Sequence, residues 1–313
     1  MKSCVKSFKK AVSAAAFPWQ ILIVALFILL LLCARHLTGG VIQSLGYVGE
    51  VLIPSIFPFA VLSGIYTQVC RNSTPSPLAQ RISAFLHLSP ISLGALMLGI
   101  LSGFPLGGKY VSDLYNQGKI SRNEAERLFP MVNNPSVAFV TVGVGQGMLG
   151  SVSSGVLLYL CVLVSAYVIG VIGKHEVMKN TEVSFTSCAP LSLPAIIRDA
   201  TLTTVHVSGF VILFGALGSL ISALLGGALS TVLLLVLEVT GACARAAELS
   251  FATPVRMGIL AFALGFGGLC VGMQSEVYLN SATLSSLSYY KRKLLQSVIC
   301  AVLCYLLSIC LLV

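Results

Sequence analysis

An all-α, polytopic transmembrane fold is predicted for this chain by three observations. Its 313 residues include only 19 Lys or Arg and 10 Asp or Glu, while 57% are hydrophobic and the mean hydropathy is +0.96. A soluble domain is about 25% charged, and a surface this poor in charge cannot cover so apolar an interior. The apolar residues fall in long charge-free windows. Several windows are interrupted by Gly, Pro, Asn or Ser at a depth where lipid-exposed backbone tolerates no break, so the breaks must face protein or a watery cavity. At about 20 residues per crossing, the length admits roughly eight to ten membrane segments.

Taken in order, Lys2, Lys6, Lys9 and Lys10 precede an uncharged run from Phe17 to Ala34. The run exceeds a signal-peptide core, Leu32 before Cys33 is not the small residue a cleavage site requires, and Arg35 follows. It reads as a retained first span whose lysines hold the N-terminus in the cytoplasm. Later windows are Val51 to Cys70, Ile82 to Gly108, Leu128 to Gly173, Ala200 to Leu237, Met257 to Ser275 and Leu294 to Val313. The third and fourth of these are too long for one crossing and are expected to fold as two segments each. Arg71 to Arg81 (RNSTPSPLAQR) reads as a polar loop. The expected organisation is a tail and first helix over 1–40, a first half over 41–173, a linker over 174–194 and a second half over 195–313. A weak echo at an offset of 165 pairs Gly103 with Gly268, Leu106 with Val271, Gly107 with Gly272 and Leu114 with Leu279, and sets Lys109 opposite Gln274. Two pseudo-symmetric, inverted repeats with broken or re-entrant helices are the expected architecture, a common way of building transporters.

The net charge of +9 does not point to nucleic acid, because basic residues sit at the ends of apolar runs rather than among aromatics. They read as topology signals and anchors to a lipid bilayer. The ten cysteines show no CxxC and no Cys/His spacing for zinc, so no metal, cofactor or disulfide framework is expected. No Ser/His/Asp, Cys/His or HExxH arrangement appears, and no enzyme is expected.

Four motifs carry the chemistry. Leu101 to Lys109 (LSGFPLGGK) places Ser102, Gly103, Pro105, Gly107 and Lys109 around a break in an apolar run. A discontinuous helix exposes backbone groups to a substrate; the plainer alternative is a Gly103/Gly107 packing face with a snorkelling Lys109. Asn133-Asn134-Pro135-Ser136 combines preferred cap and first-turn residues, so a helix is expected to start at Pro135 and to offer its positive end to a carboxylate. Between them, Ser121 and Glu124 form a capping box that starts a short interfacial helix with solvated charges. Glu238, in LEVTG after a long apolar run, is a candidate for proton or cation coupling with Thr240 beside it; the alternative is an interfacial glutamate with Thr240-Gly241 ending the helix. In Gly265 to Glu276 (GFGGLCVGMQSE), Gln274 has an amide that can donate and accept at once. His206 is read as either a proton relay or a hydrogen bond to a neighbouring helix.

The string LSGFPLGGKYVSDLYNQGKISRNEAERLFPMVNNPS resembles the signature of the YlbJ-type sporulation integral membrane proteins, within the wider group carrying the nucleoside-recognition, or Gate, domain. The similarity continues through Phe210 to Gly218, LEVTG at Leu237 to Gly241, FGGLCVGMQ at Phe266 to Gln274 and the basic Tyr290 to Lys293. It implies a transporter-like protein of a bacterial cell or forespore membrane, with dipicolinate as an implied substrate; nucleosides and iron are linked to other bearers of the domain. The expected function is therefore a permease for a small anionic or polar metabolite. Its substrate residues would be Ser102, Gly103, Pro105, Gly107, Lys109, Asn133, Asn134, Ser136, Thr240 and Gln274, with Glu238 coupling a proton or sodium ion. A non-transporting membrane scaffold for sporulation proteins and a nucleoside or ion transporter are the alternatives, and self-association is left open.

Overall fold

The computed structural model describes residues 20–69, 76–172, 192–225 and 227–311, and these are helical with no strand. The N-terminal lysines and nearly all of the expected 174–194 linker lie outside the described residues. Helix α1 is Gln20–Leu32. Helix α2 (Ala34–Tyr47) runs through a π-helical stretch, Val48–Leu52, into α3 (Ile53–Val69). Together they make a rod of 36 residues, about 54 Å long, which exceeds the ~30 Å of a hydrocarbon core.

Helix α4 (Pro77–Phe85) starts at Ser76, whose hydroxyl accepts the Ala79 N–H at 3.2 Å, with Pro77 in the first helical position. The polar loop expected through Arg81 thus ends at Ser76. Next come α5 (Ser92–Ser102), a break at Gly103, α6 (Leu106–Asn116), α7 (Arg122–Val132), a break over 133–136, a π-helix at Phe139–Met148 and α8 (Val152–Val171). The second half holds α9 (Leu193–Leu225), α10 (Gly227–Leu237), a break at Glu238, α11 (Val239–Ala247), α12 (Thr253–Phe266), a break at Gly267, α13 (Gly268–Ser281) and α14 (Ser286–Leu311).

Helix, break, helix, turn, helix, break, helix and long helix therefore follow one another in each half. The long helices that close the two successions start at Val152 and Ser286, 134 residues apart. The echo at 165 sets α6 against α13, which hold different places in that order.

Among the described residues, five helical stretches are long and apolar enough to cross a membrane: Ala34–Val69, Val152–Val171, Leu193–Leu225, Thr253–Ser281 and Ser286–Leu311. Three apolar clusters hold them together. One joins α8, α11, α12 and α14, a second joins α5, α6 and α7 to Leu279 and Tyr289, and a third joins the α2–α3 rod to α6 and α9.

Helix α7 departs from the solvated interfacial helix expected. Its Ser121 cap is present, with the hydroxyl accepting the Glu124 N–H at 3.1 Å, but Glu124 and Arg127 are buried. Arg122 and Asn123 at the start of α7 are exposed, but from Glu124 onward the helix is largely covered, and Glu124 finds its partners, Ser89 and Ser92, at the start of α5 rather than in water.

Candidate functional site

Each half folds its two breaks against one another. In the first half the Phe104 N–H donates to the Asn134 carbonyl at 2.8 Å, and Gly103 has φ +71°. A Cβ on Gly103 would lie 2.5 Å from the Ser136 nitrogen, so only glycine fits on both counts. In the second half Gly267 and Gly268 have φ +80° and +77°, and a Cβ on Gly268 would lie 2.9 Å from the Glu238 nitrogen and the Leu237 carbonyl. In the first half the close approach lets the backbone of one break satisfy that of the other, which is how irregular backbone survives away from water.

Segments beside all four breaks border one cavity of about 490 Å³. Ser102 and Phe104 come from the first break, Ser136 and Phe139 from the second, Glu238 and Thr240 from the third, and Cys270 and Gln274 from the first two turns of α13. Tyr47, Glu50 and Phe59 of the α2–α3 rod complete the wall with Val207 and Val211 of α9.

The polar side chains on this wall are two carboxylates set among hydroxyls and one amide. The Glu238 carboxylate caps α11, accepting the Thr240 N–H at 2.8 Å and the Gly241 N–H at 2.6 Å, so LEVTG starts a helix instead of ending one. The Ser136 hydroxyl accepts the Phe139 N–H at 3.3 Å, which moves the expected helix start from Pro135 to just after Ser136. Gln274 donates through Nε2 to the Cys270 sulfur at 3.2 Å. Its Oε1 and the Ser102 hydroxyl are buried and have no partner among the described residues. No Lys, Arg or His borders the cavity among the described residues, whereas two carboxylates do.

Of the residues singled out from the sequence, Ser102, Ser136, Glu238, Thr240 and Gln274 are thus brought together. Gly103 and Gly107 pack behind the wall, the latter with a would-be Cβ 2.8 Å from the Val132 carbonyl, and the Pro105 carbonyl accepts the Lys109 N–H at 2.9 Å. Asn133 and Asn134 lie deeper still. Asn133 donates to Ser275 at 2.8 Å and to the Tyr289 hydroxyl at 2.7 Å. The Asn134 side-chain oxygen accepts from Gln296 at 2.6 Å and from Lys293 at 3.1 Å, while Lys293 also donates to the Asn133 carbonyl at 3.0 Å and to Gln296 at 2.7 Å. Lys109 faces a different cavity, where it pairs with Asp199 and donates to Thr203 at 3.2 Å. His206 is exposed on α9 against the Phe210 ring and makes no bond to a neighbouring helix among the described residues.

No family model matches the chain, and no solved structure matches it significantly. The sporulation integral membrane protein YlbJ of Bacillus subtilis (strain 168) is 27% identical over an alignment of 302 residues, covering 82% of this chain and 74% of the relative. The chain is YlbJ-like. Its five stretches of spanning length and its composition make it, like that relative by name, an integral membrane protein.

Sequence reading missed three groups in this YlbJ-like chain. Glu50 borders the central cavity from a π-helical turn, and Asp113 and Asp199 border the second cavity with Lys109. Glu50 and Asp199 each stand immediately before a charge-free window, where a charge reads as the edge of a membrane segment. In the structure each lies inside a helix that continues through it. The available signal for Glu50 was its place between two apolar stretches with no Pro, Asn or Asp turn between them.

Proposed function

We propose that the chain is a secondary transporter or permease that carries a small polar or anionic metabolite across a membrane of a spore-forming cell, with dipicolinate the first candidate. The observation that supports this most is the single cavity of about 490 Å³ walled by segments next to all four helix breaks. Its size is in the range of small-molecule pockets, and discontinuous helices meeting at such a site are a recurring feature of secondary transporters. The sporulation context comes from the similarity to the sporulation integral membrane protein YlbJ.

The charge on the wall constrains how an acid would travel. With Glu50 and Glu238 present and no cationic side chain among the described lining residues, a dicarboxylate enters only together with protons or a cation. Glu238 is the coupling group in this reading, since it is buried and its carboxylate ties the break to the start of α11.

The test is uptake of radiolabelled dipicolinate into proteoliposomes, under imposed proton or sodium gradients, with wild type and the Glu238→Gln variant. Glutamine retains an acceptor for the α11 cap and removes the charge. Gradient-driven uptake by the wild type that becomes independent of the gradient in the variant supports the reading. No uptake of dipicolinate or nucleosides under either gradient would shift the weight to a membrane scaffold.

A further inference from the structure

The second cavity, about 290 Å³, lies between α3, α6 and α9 and is bordered by Lys109, Asp113, Asp199, Thr67 and Gln68. It is the next opening along the same pair of helices. The central cavity borders α3 up to Phe59 and α9 at Val207 and Val211; the second borders α3 from Ala60 to Gln68 and α9 from Ala195 to Asp199. Between the two openings Ile56, Ala60, Leu106, Ala200 and Val207 belong to one apolar cluster. Among the described lining residues of both cavities, Lys109 is the only cation.

The lysine side chain is 19% exposed and the Asp199 side chain that neutralises it is 63% exposed. A carboxylate so open to water loses little on leaving, and a second carboxylate arriving in its place restores the same pairing. We propose that this cavity is an entry station for a small carboxylate, at which Asp199 holds Lys109 until the ligand's own carboxylate replaces it. Its physiological purpose rests on the transporter reading above; the binding itself does not.

Asp113 adds a pH dependence. It lies one turn beyond Lys109 on α6, and burial raises its carboxyl to about 6, with Lys109 opposing the rise and Asp199 adding to it. The other titratable groups facing this cluster are Tyr110 on α6 and Tyr278 on α13, while α3 supplies only Ser63, Thr67 and Gln68. Above pH 6 the charge on Asp113 opposes an arriving anion, so carboxylate binding weakens as pH rises through that value.

The experiment is equilibrium dialysis of pyridine-2,6-dicarboxylate against the purified full chain in detergent, with its dimethyl ester as the uncharged control. Wild type, Asp199→Asn, Lys109→Gln, Asp113→Asn and Glu238→Gln are compared, each checked for monodispersity by gel filtration. Removing the placeholder in Asp199→Asn tightens binding by about fivefold, and Lys109→Gln loses a similar factor or more. Asp113→Asn tightens binding at pH 7.5 and flattens its pH dependence, and the ester does not bind. A structural ion pair alone moves Asp199→Asn and Lys109→Gln in the same direction, which overturns the proposal, as does absence of binding to the wild type. Binding abolished by Glu238→Gln but indifferent to Lys109→Gln places the ligand in the central cavity and also overturns it, leaving the transporter reading intact. The opposed Lys109 and Asp199 signature without any uptake leaves the station standing and removes the transporter.

Discussion

Lys293 carries an ammonium group into the interior with no carboxylate bonded to it among the described residues. Its three donors meet three neutral oxygens, the Asn133 carbonyl and the side chains of Asn134 and Gln296. Truncation leaves at least two of these buried acceptors without a donor. Lys293→Leu is expected to destabilise the protein by about 3 kcal/mol, read by chemical denaturation in detergent micelles. Loss below about 0.5 kcal/mol would mean that water replaces the amine there. From the sequence Lys293 belongs to a basic cluster, Lys291-Arg292-Lys293, of the kind that marks a membrane surface. A helix turns its residues by about 100° each, so the three separate: Lys291 is exposed, Arg292 donates to the Ile169 carbonyl at 2.9 Å at the end of α8, and Lys293 points inward. Composition registers their charge, but only a packed helix decides which of them is buried.

The start of α5 depends on a residue from α7. One carboxylate oxygen of Glu124 accepts the Ser89 N–H, the Ser89 hydroxyl and the Ser92 hydroxyl, each at 2.7 Å. The capping box legible in Ser121-x-x-Glu124 is therefore half realised: the serine caps its own helix, and the glutamate caps another. Local spacing reveals the first contact and is silent on the second, which spans 35 residues. Glu124→Ala is expected to cost about 3 kcal/mol, with Glu124→Gln intermediate because it keeps an acceptor. Thermal unfolding followed by circular dichroism checks the order.

Helix α6 offers a pH test of its own. Asp113 is raised to about 6 by burial when folded, against 3.8 for an aspartate carboxyl in water. The folded state binds its proton more tightly, so stability falls as pH rises from about 4 to about 6 and is level above that. Asp113→Asn removes this loss. Its melting temperature should match wild type near pH 4 and exceed it at pH 7.5; a difference of the same size at both pH values would contradict the assignment.

At the scale of the whole molecule, buried polar contacts fasten one half to the other. Asn133 and Asn134 bond to Ser275, Tyr289, Lys293 and Gln296, and the Ser112 hydroxyl donates to the Tyr278 carbonyl at 3.0 Å. Two polypeptides produced by opening the chain between 173 and 191, when co-expressed, should copurify as one complex. Lys293→Leu should weaken that association, as seen by affinity capture through a tag on one half. The membrane class, the long apolar helices and the places where they break were legible in composition and in Gly, Pro and Asn. The pairing of breaks within each half, the π-helical turn that brings Glu50 to the cavity and the separation of Lys109 from it were not, because each is set by contacts between segments tens of residues apart.

A break in a helix, taken alone, is a swivel, since its freed dihedral angles are soft. Here Gly103 and Gly268 are each pressed beneath the other break of their own half, closer than a methyl group would permit. Riveted in pairs, the four interruptions lose the compliance that helix breaks ordinarily confer. What slack the molecule has for passing a solute lies instead along the seam of α3, α6 and α9, where aliphatic side chains, the Lys109–Asp199 ion pair and the Lys109–Thr203 hydrogen bond would have to part.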